Sequence, residues 1–172
     1  MVARLTLGKK KYHQVESRMH EIIEQSEHIR AHLQAAVSRD SQAFTEVMNA
    51  LHLPKDSPAQ IETRNQALEQ ATLRAAEVPL EVAAWSSQIL DLAVEVAETG
   101  NVNAISDAAS AATLAQAAMN SAALNVRTNA ATLQDQAQAS RLRDQFVELD
   151  NQIERANGDL RRILIERAGL PA

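Results

Sequence analysis

The sequence predicts an all-α protein, a bundle of about six helices of which three are long. Three observations carry this. Four Gly and four Pro in 172 residues leave few places where a helix must stop. Apolar residues recur with 4-3 spacing over long stretches, the period of a helix seam, and no stretch alternates with the period of two that a strand requires. Apolar content is 45% but aromatic content only 2%, so the core must be built from Ala, Leu, Val and Ile. A chain of this length forms one domain, residues 1–172, and can bury a substantial core.

Taken in order, residues 1–8 read as the last two turns of a helix whose beginning is absent. They carry no N-cap and are apolar from the second position. From residue 10 to about 39, Val15, Met19, Ile22, Ser26, Ile29, Leu33 and Ala36 form the seam of a long helix. Asp40 or Ser41 then caps a short helix carrying Phe44, Val47, Met48 and Leu51, followed by a loop at 54–58. Ser57 and Gln60 match a capping box, with Pro58 at the first helical position. This helix runs to about Glu77. Pro79 opens the next one, because the residue before a proline is pushed out of the α region.

Between residues 80 and 97 apolar residues occupy nearly all sides, including Trp85, Leu90, Leu92 and Val96, so this helix should be central. Gly100 is placed to end it as the C′ residue, and Ser106 to N-cap an alanine-rich helix that runs to about Ala137. The last helix repeats the 4-3 seam at Leu142, Phe146, Leu149, Ile153, Ala156, Leu160 and Ile163, with Gly169 and Pro171 as stop signals. Alanine faces let backbones approach closely, which suits a homodimer formed through helix faces; a self-contained monomeric bundle is the alternative.

Composition excludes several function classes. With no Cys there are no disulfides and no thiolate metal sites, which fits a reducing compartment. A net charge of −5 argues against a general nucleic-acid binder. No apolar run is long enough to span a bilayer and no signal-peptide pattern is present, so the expectation is a soluble, cytoplasmic protein with no membrane partner.

Asp107 would lie in the first turn of the alanine helix, where exposed amides and the macrodipole favour a carboxylate. Asn125 lies eighteen residues further on the same face, roughly 27 Å along the axis. Ser121 and Asn129 flank it at the i±4 positions. Buried amides are costly without partners, so these groups either satisfy one another across an interface or line a wet cleft. Asn101, Asn103 and Asn120 add to the polar set.

Lys9, Lys10, Lys11 and Tyr12 concentrate cations beside one of the few aromatics. Such a group can bind a planar, carboxylate-bearing ligand by ion pairing and stacking, or simply keep the helix start soluble. Arg64 falls in register with Ile61, Leu68 and Ala71, so its guanidinium must be paired, point at a ligand, or snorkel along its stem. His28, His32 and Glu24 share one helix face, and residues 20–24 have the spacing of the zincin helix motif with Glu24 in place of the second His. Three converging ligands are not assembled by this pattern, and no metal is assigned. No nucleophilic triad and no phosphate-cradling glycine loop is present.

In this order, the residues resemble the cyclodeaminase/cyclohydrolase family of tetrahydrofolate one-carbon metabolism, which includes the C-terminal domain of formiminotransferase-cyclodeaminase. The resemblance rests on the Met-Val-Ala-Arg-Leu-Thr-Leu-Gly-Lys-Lys-Lys-Tyr stretch of residues 1–12, Asp-Ser-Gln-Ala-Phe at 40–44 and Leu-Pro-Lys at 53–55. It continues through Arg64, Val-Pro-Leu at 78–80, Gly100-Asn101, Ser106-Asp107 and Asn125-Val126, to about Asp135; the last helix matches only in type. Family members usually carry a further segment before the Met-Val-Ala stretch, with a Gly-rich turn and the first part of an Ala-rich helix, which this chain lacks.

The resemblance implies a homodimeric, all-helical folate enzyme acting on 5-formimino- or 5,10-methenyl-tetrahydrofolate, with the folate as substrate and no separate cofactor. It implies Asp107 as the catalytic carboxylate and Asn101, Asn125 and Asn129 as hydrogen-bonding groups for the pterin or intermediate. Lys9, Lys10 and Arg64 would bind the glutamate tail and Tyr12 would stack on a flat ring. The alternative is a catalytically silent helical dimer, a folate-binding or scaffolding relative.

Overall fold

Positions 22, 29, 36, 43 and 50 are buried at intervals of seven, and this repeat makes one helix of what the sequence divides in two. In the computed structural model, which describes residues 1–170, helix α2 runs unbroken through Glu16–Leu51. Small residues, Ala36, Ala43 and Ala50, carry its second half against the core, whereas Phe44 is 65% exposed. The break expected at Asp40 or Ser41 is absent. The Ser41 hydroxyl donates instead to the Val37 carbonyl four residues back, at 3.2 Å, a bond that a helix interior accommodates.

The start of the chain is broken more finely than expected. Helix α1 occupies Val2–Thr6, and Lys10–Val15, expected as the first turns of the long helix, form a 3-10 turn instead. Gly8 makes the bend between them with φ +71°, a conformation that favours glycine.

Helix α3, Pro58–Thr99, begins as its capping signals predict: the Ser57 hydroxyl accepts from the Gln60 amide at 3.3 Å, and Pro58 holds the first position. Pro79, however, does not open a new helix. It lies inside α3, where its ring removes the N–H that would bond the Ala75 carbonyl. The Asn129 side chain donates to that carbonyl at 2.9 Å, so the vacancy in the ladder is filled from outside the helix. As expected for the most apolar segment, α3 is central and packs against α2, α4 and α5.

A second 3-10 turn, Val102–Ala104, leads into α4, Ile105–Ala130. Ser106 therefore lies in the first turn of α4 and Ala104 occupies the cap position. The helix ends seven residues short of position 137. The Asp135 carboxylate takes the amides of Ala137 and Gln138 at 2.9 and 3.1 Å and starts α5, Gln136–Ala168. Glu69 of α3 accepts the amides of Gln134 and Asp135 at 2.9 Å each, which fixes the turn. Gly169 closes α5 with φ +63°; Pro171, the other expected stop, lies outside the described residues.

The described residues thus hold five α-helices rather than six, two 3-10 turns and no strand. The main core gathers Met19, Ile22, Leu90, Ala108, Met119 and Ile163; a second, toward the other end, packs Ala83 and Val126 on Phe146. Arg18 of α2 grips Glu95 of α3 with a two-pronged contact at 2.6 and 2.8 Å, which fixes the end of the bundle where the loop of residues 100–104 lies. The His32 ring stacks on Trp85 at 4.4 Å, and His28 lies edge-on to His32 at 4.5 Å and to Trp85 at 5.7 Å, so these histidines belong to an α2–α3 contact. Among the described residues no group of three metal-ligating side chains converges, and no helix is long and apolar enough to cross a membrane.

Candidate functional site

A helix leaves its last carbonyls and the next helix its first amides without internal partners, so the turn from α3 to α4 must find them elsewhere. Besides bonds within α3 and the turn itself, it does so through three other elements, α1, the 3-10 turn Lys10–Val15 and α5. The Gly100 amide donates to Val96 O at 3.0 Å. The Gly100 carbonyl accepts from Arg167 Nη2 at 2.9 Å, and the other Arg167 nitrogen, Nη1, donates to Ala97 O. The Asn101 amide donates to Thr6 Oγ1 at 2.9 Å, and the Val102 amide to the Tyr12 hydroxyl at 3.1 Å. Asn101 Oδ1 accepts from the Asn103 amide at 3.2 Å, while Asn101 Nδ2 donates to Leu5 O at 3.1 Å.

Gly100 is required here by close approach rather than by handedness. Its φ is −79°, not the left-handed value expected of a C′ glycine. A Cβ on it would lie 2.5 Å from Val96 O and 3.2 Å from Thr6 Oγ1.

This braced loop delivers Asp107. The carboxylate is exposed in the first turn of α4, and among the described residues it has no hydrogen-bond or ion-pair partner. Ala111, one turn further on the same face, lines a groove of about 430 Å³ enclosed by α1, α2, α3 and α4, together with Val2, Leu5, Ile22, Leu92 and Ala108. Asp107 is not itself part of the lining but directly precedes Ala108 and lies one turn before Ala111, which are, and the groove is of a size that small ligands fill. Exposed Lys9, Lys10 and Lys11 lie at the same end of the bundle, with Lys11 Nζ 5.5 Å from the Tyr12 ring centre. The Tyr12 hydroxyl is held below the ordinary tyrosine range, first by the Val102 amide it accepts, against the opposing effect of burial, with the positive charges of Lys11 and Arg167 adding to the effect.

Residues 1–148 match the family described as formiminotransferase-cyclodeaminase. The chain belongs to the formiminotransferase-cyclodeaminase family. It is 42% identical over 126 residues to a methenyltetrahydrofolate cyclohydrolase of Methylorubrum extorquens, covering 73% of this chain and 61% of that one. It is 31% identical over 126 residues to the formimidoyltransferase-cyclodeaminase of Rattus norvegicus, covering 73% of this chain and 23% of that one. The crystal structure of a formiminotetrahydrofolate cyclodeaminase from Thermotoga maritima superposes with a TM-score of 0.84 at 30% identity, covering 95% of this chain and 78% of that one. The chain thus spans 61% of the length of the bacterial relative and 23% of the rat one.

Against the family resemblance, the structure divides the expected site residues into two groups. Lys9, Lys10, Tyr12, Asn101 and Asp107 come together at one end. Within that group Tyr12 is only 8% exposed, so the face expected to stack on a ring is covered. Asn101 is buried with its side chain engaged on Asn103 and Leu5.

The other group lies far away along the helices. Asn125 and Asn129 stand roughly 27 and 33 Å from Asp107 on α4 at 1.5 Å per residue. Asn125 is exposed and donates to Ser121 O at 3.4 Å; Asn129 completes the α3 ladder at Pro79. Arg64 is roughly 54 Å along α3 from Gly100. Of the alternatives left open for it, the structure shows pairing: its guanidinium donates to the Leu51 carbonyl at the end of α2, at 3.3 Å.

Two residues of the loop's support were not legible as such. Thr6 is buried and receives the Asn101 amide, and in the sequence it is one of two polar residues, with Arg4, in the last turn of α1, with nothing to mark it as the buried one. Arg167, beyond the matched residues, carries no signal beyond being basic in a last helical turn.

Proposed function

We propose that this chain is part of a tetrahydrofolate one-carbon enzyme acting on the 5-formimino or 5,10-methenyl form, with Asp107 as its reacting carboxylate. The observation that carries the reading is Asp107 itself, exposed and without a partner among the described residues, next in sequence to Ala108 of an apolar groove, in a chain of this family. The relatives' names divide between cyclohydrolase and cyclodeaminase, and the two reactions share one species, the 5,10-methenyl amidinium cation.

In the cyclodeaminase direction, N10 attacks the formimino carbon held on N5, ammonia leaves and the cation forms. In the cyclohydrolase direction, water adds to the cation's central carbon and gives up a proton, and the bond from that carbon to N5 breaks to leave the 10-formyl product. A carboxylate beside this centre stabilises the cation and moves the proton. The groove takes the flat apolar body of the substrate, and Lys9 and Lys10 receive its glutamate carboxylates. Tyr12 and Asn101 act by holding the loop. The working form is a cytoplasmic homodimer, with alanine-rich helix faces supplying the close contact.

The test is to incubate the purified protein with 5,10-methenyltetrahydrofolate and follow the methenyl absorbance against a buffer blank and an Asp107→Ala control. Decay that requires Asp107 supports a cyclohydrolase-type site and calls for the 5-formimino substrate next. Decay unchanged in the variant removes Asp107 from the reaction. No decay with either substrate by a folded dimer leaves the silent helical relative.

A further inference from the structure

The last helix, whose end lies outside the residues matched to the family, reaches back to the loop that leads to Asp107. We infer that Arg167 is a positioning residue of this site: its guanidinium clamps the end of α3 and so sets the loop whose Val102 amide meets the Tyr12 hydroxyl and whose far end begins α4. The inference rests on reading this end of the bundle as the site.

Three observations point the same way. Arg167 is half-buried, and its two terminal nitrogens donate to Ala97 O and Gly100 O, two carbonyls at the negative end of the α3 macrodipole. A planar fork with fixed donors suits two neighbouring carbonyls in a way that a lysine does not. The Gly100 carbonyl it holds is separated by a single residue from Val102, whose amide meets Tyr12 at 3.1 Å. Arg167 and Tyr12 thus grip the same short segment from opposite ends of the sequence. The charged groups acting on the Tyr12 hydroxyl are Lys11 and Arg167, and its backbone partner is Val102.

Tyr12 is the only tyrosine in the chain, so tyrosinate absorbance on alkaline titration reports this one site. The experiment compares the full chain with Arg167→Gln, which keeps donors but loses the charge, and Arg167→Lys, which keeps the charge but loses the fork. In Arg167→Gln the tyrosinate midpoint should move up, and in Arg167→Lys it should return toward the wild-type value. Amide exchange at Val102 should quicken in both, by about ten- to a hundredfold, the range expected when bonds to a charged donor are lost.

Methenyltetrahydrofolate turnover should fall in kcat more than KM rises. Variants that melt cooperatively with unchanged midpoint and unchanged Val102 exchange would overturn the inference. If Arg167→Gln does not fold, Arg167→Lys decides through exchange alone, and wild-type protection there refutes the clamp. Titration and exchange need no folate. A wild-type protein without turnover, but with both responses intact, would sink the functional reading and leave the clamp standing.

Discussion

Replacing Gly100 by alanine tests the loop at its tightest point. The added Cβ would lie 2.5 Å from Val96 O, well inside the contact distance of real side chains, and the obstacle is backbone rather than a flexible tip. Val96 O also accepts the Gly100 amide at 3.0 Å, so relieving the clash pulls that bond apart. Overpacking of this kind costs about 1–3 kcal/mol. One weakened hydrogen bond adds about 0.5–1.5 kcal/mol. The expected total is about 1.5–4.5 kcal/mol, or a fall in Tm of about 3–18 °C for a chain of this size.

Melting followed by circular dichroism gives the global figure, and amide exchange at Asn101 and Val102 shows whether the loop has lifted from Thr6 and Tyr12. Turnover of the methenyl substrate should fall with it, because Asp107 follows directly on the displaced segment. A variant melting within about 1 °C of wild type, with Asn101 and Val102 still protected, would show that close approach at Gly100 does not hold the loop; that margin is below the shift of a single kcal/mol.

Asn129→Ala should cost about 1–3 kcal/mol by leaving Ala75 O unpaired. The same substitution on a Pro79→Ala background should cost less, because the restored amide serves that carbonyl; equal costs in a denaturant double-mutant cycle would refute the pairing. Leu90→Ala, at a fully buried site, should destabilise by about 2–5 kcal/mol, whereas Phe44→Ala, 65% exposed, should stay within about 0.5 kcal/mol in urea unfolding. The Asp135 carboxyl is held below its ordinary range by the Gln138 amide, the Gln138 side chain and the Ala137 amide. Its contribution to stability should be complete above the unfolded value of about 3.9 and vanish as pH falls through the depressed folded value. The Tm gap between wild type and Asp135→Ala should therefore be wide at neutral pH and narrow in strong acid, and an equal gap at both would refute it. Asp107→Asn should lower methenyl turnover at least tenfold while leaving Tm within about 2 °C, since surface substitutions rarely cost more.

The fold class was legible because the scarcity of Gly and Pro and the 4-3 spacing act locally, residue by residue. The two breaks that did not occur were misread for a shared reason. Asp40-Ser41 and Pro79 each satisfy a local rule for a helix start, and each is overridden by partners distant in sequence. In α2, alanines at 36, 43 and 50 keep the helix on the core across Ser41, while the bulkier Phe44 that drew the eye faces outward. In α3, Asn129 supplies the donor that Pro79 lacks. The same division runs through the site. Asp107 could be placed because a helix start is a local event. For Arg64 the spacing left a partner, a ligand and snorkelling open, and the Leu51 carbonyl could not be named from it. Thr6 and Arg167 mean nothing until the chain has folded around residues 100–104.

Pro79 and Asn129 have a consequence beyond completing a ladder. An interface of methyl groups is nearly smooth along its axis, and α3 against α4 comes close to that in the part near Pro79, where Ala76 and Ala83 share a cluster with Ala122, Ala123 and Val126. Little in such a surface resists one helix sliding past the other by a turn of about 5.4 Å. Only one carbonyl along this stretch is left open by a proline, and only the amide at the right height can reach it. The pair works as an index mark. It ties the register of the two helices at a level far from the braced turn of residues 100–104, so that α3 and α4 are held relative to each other at both ends of their contact.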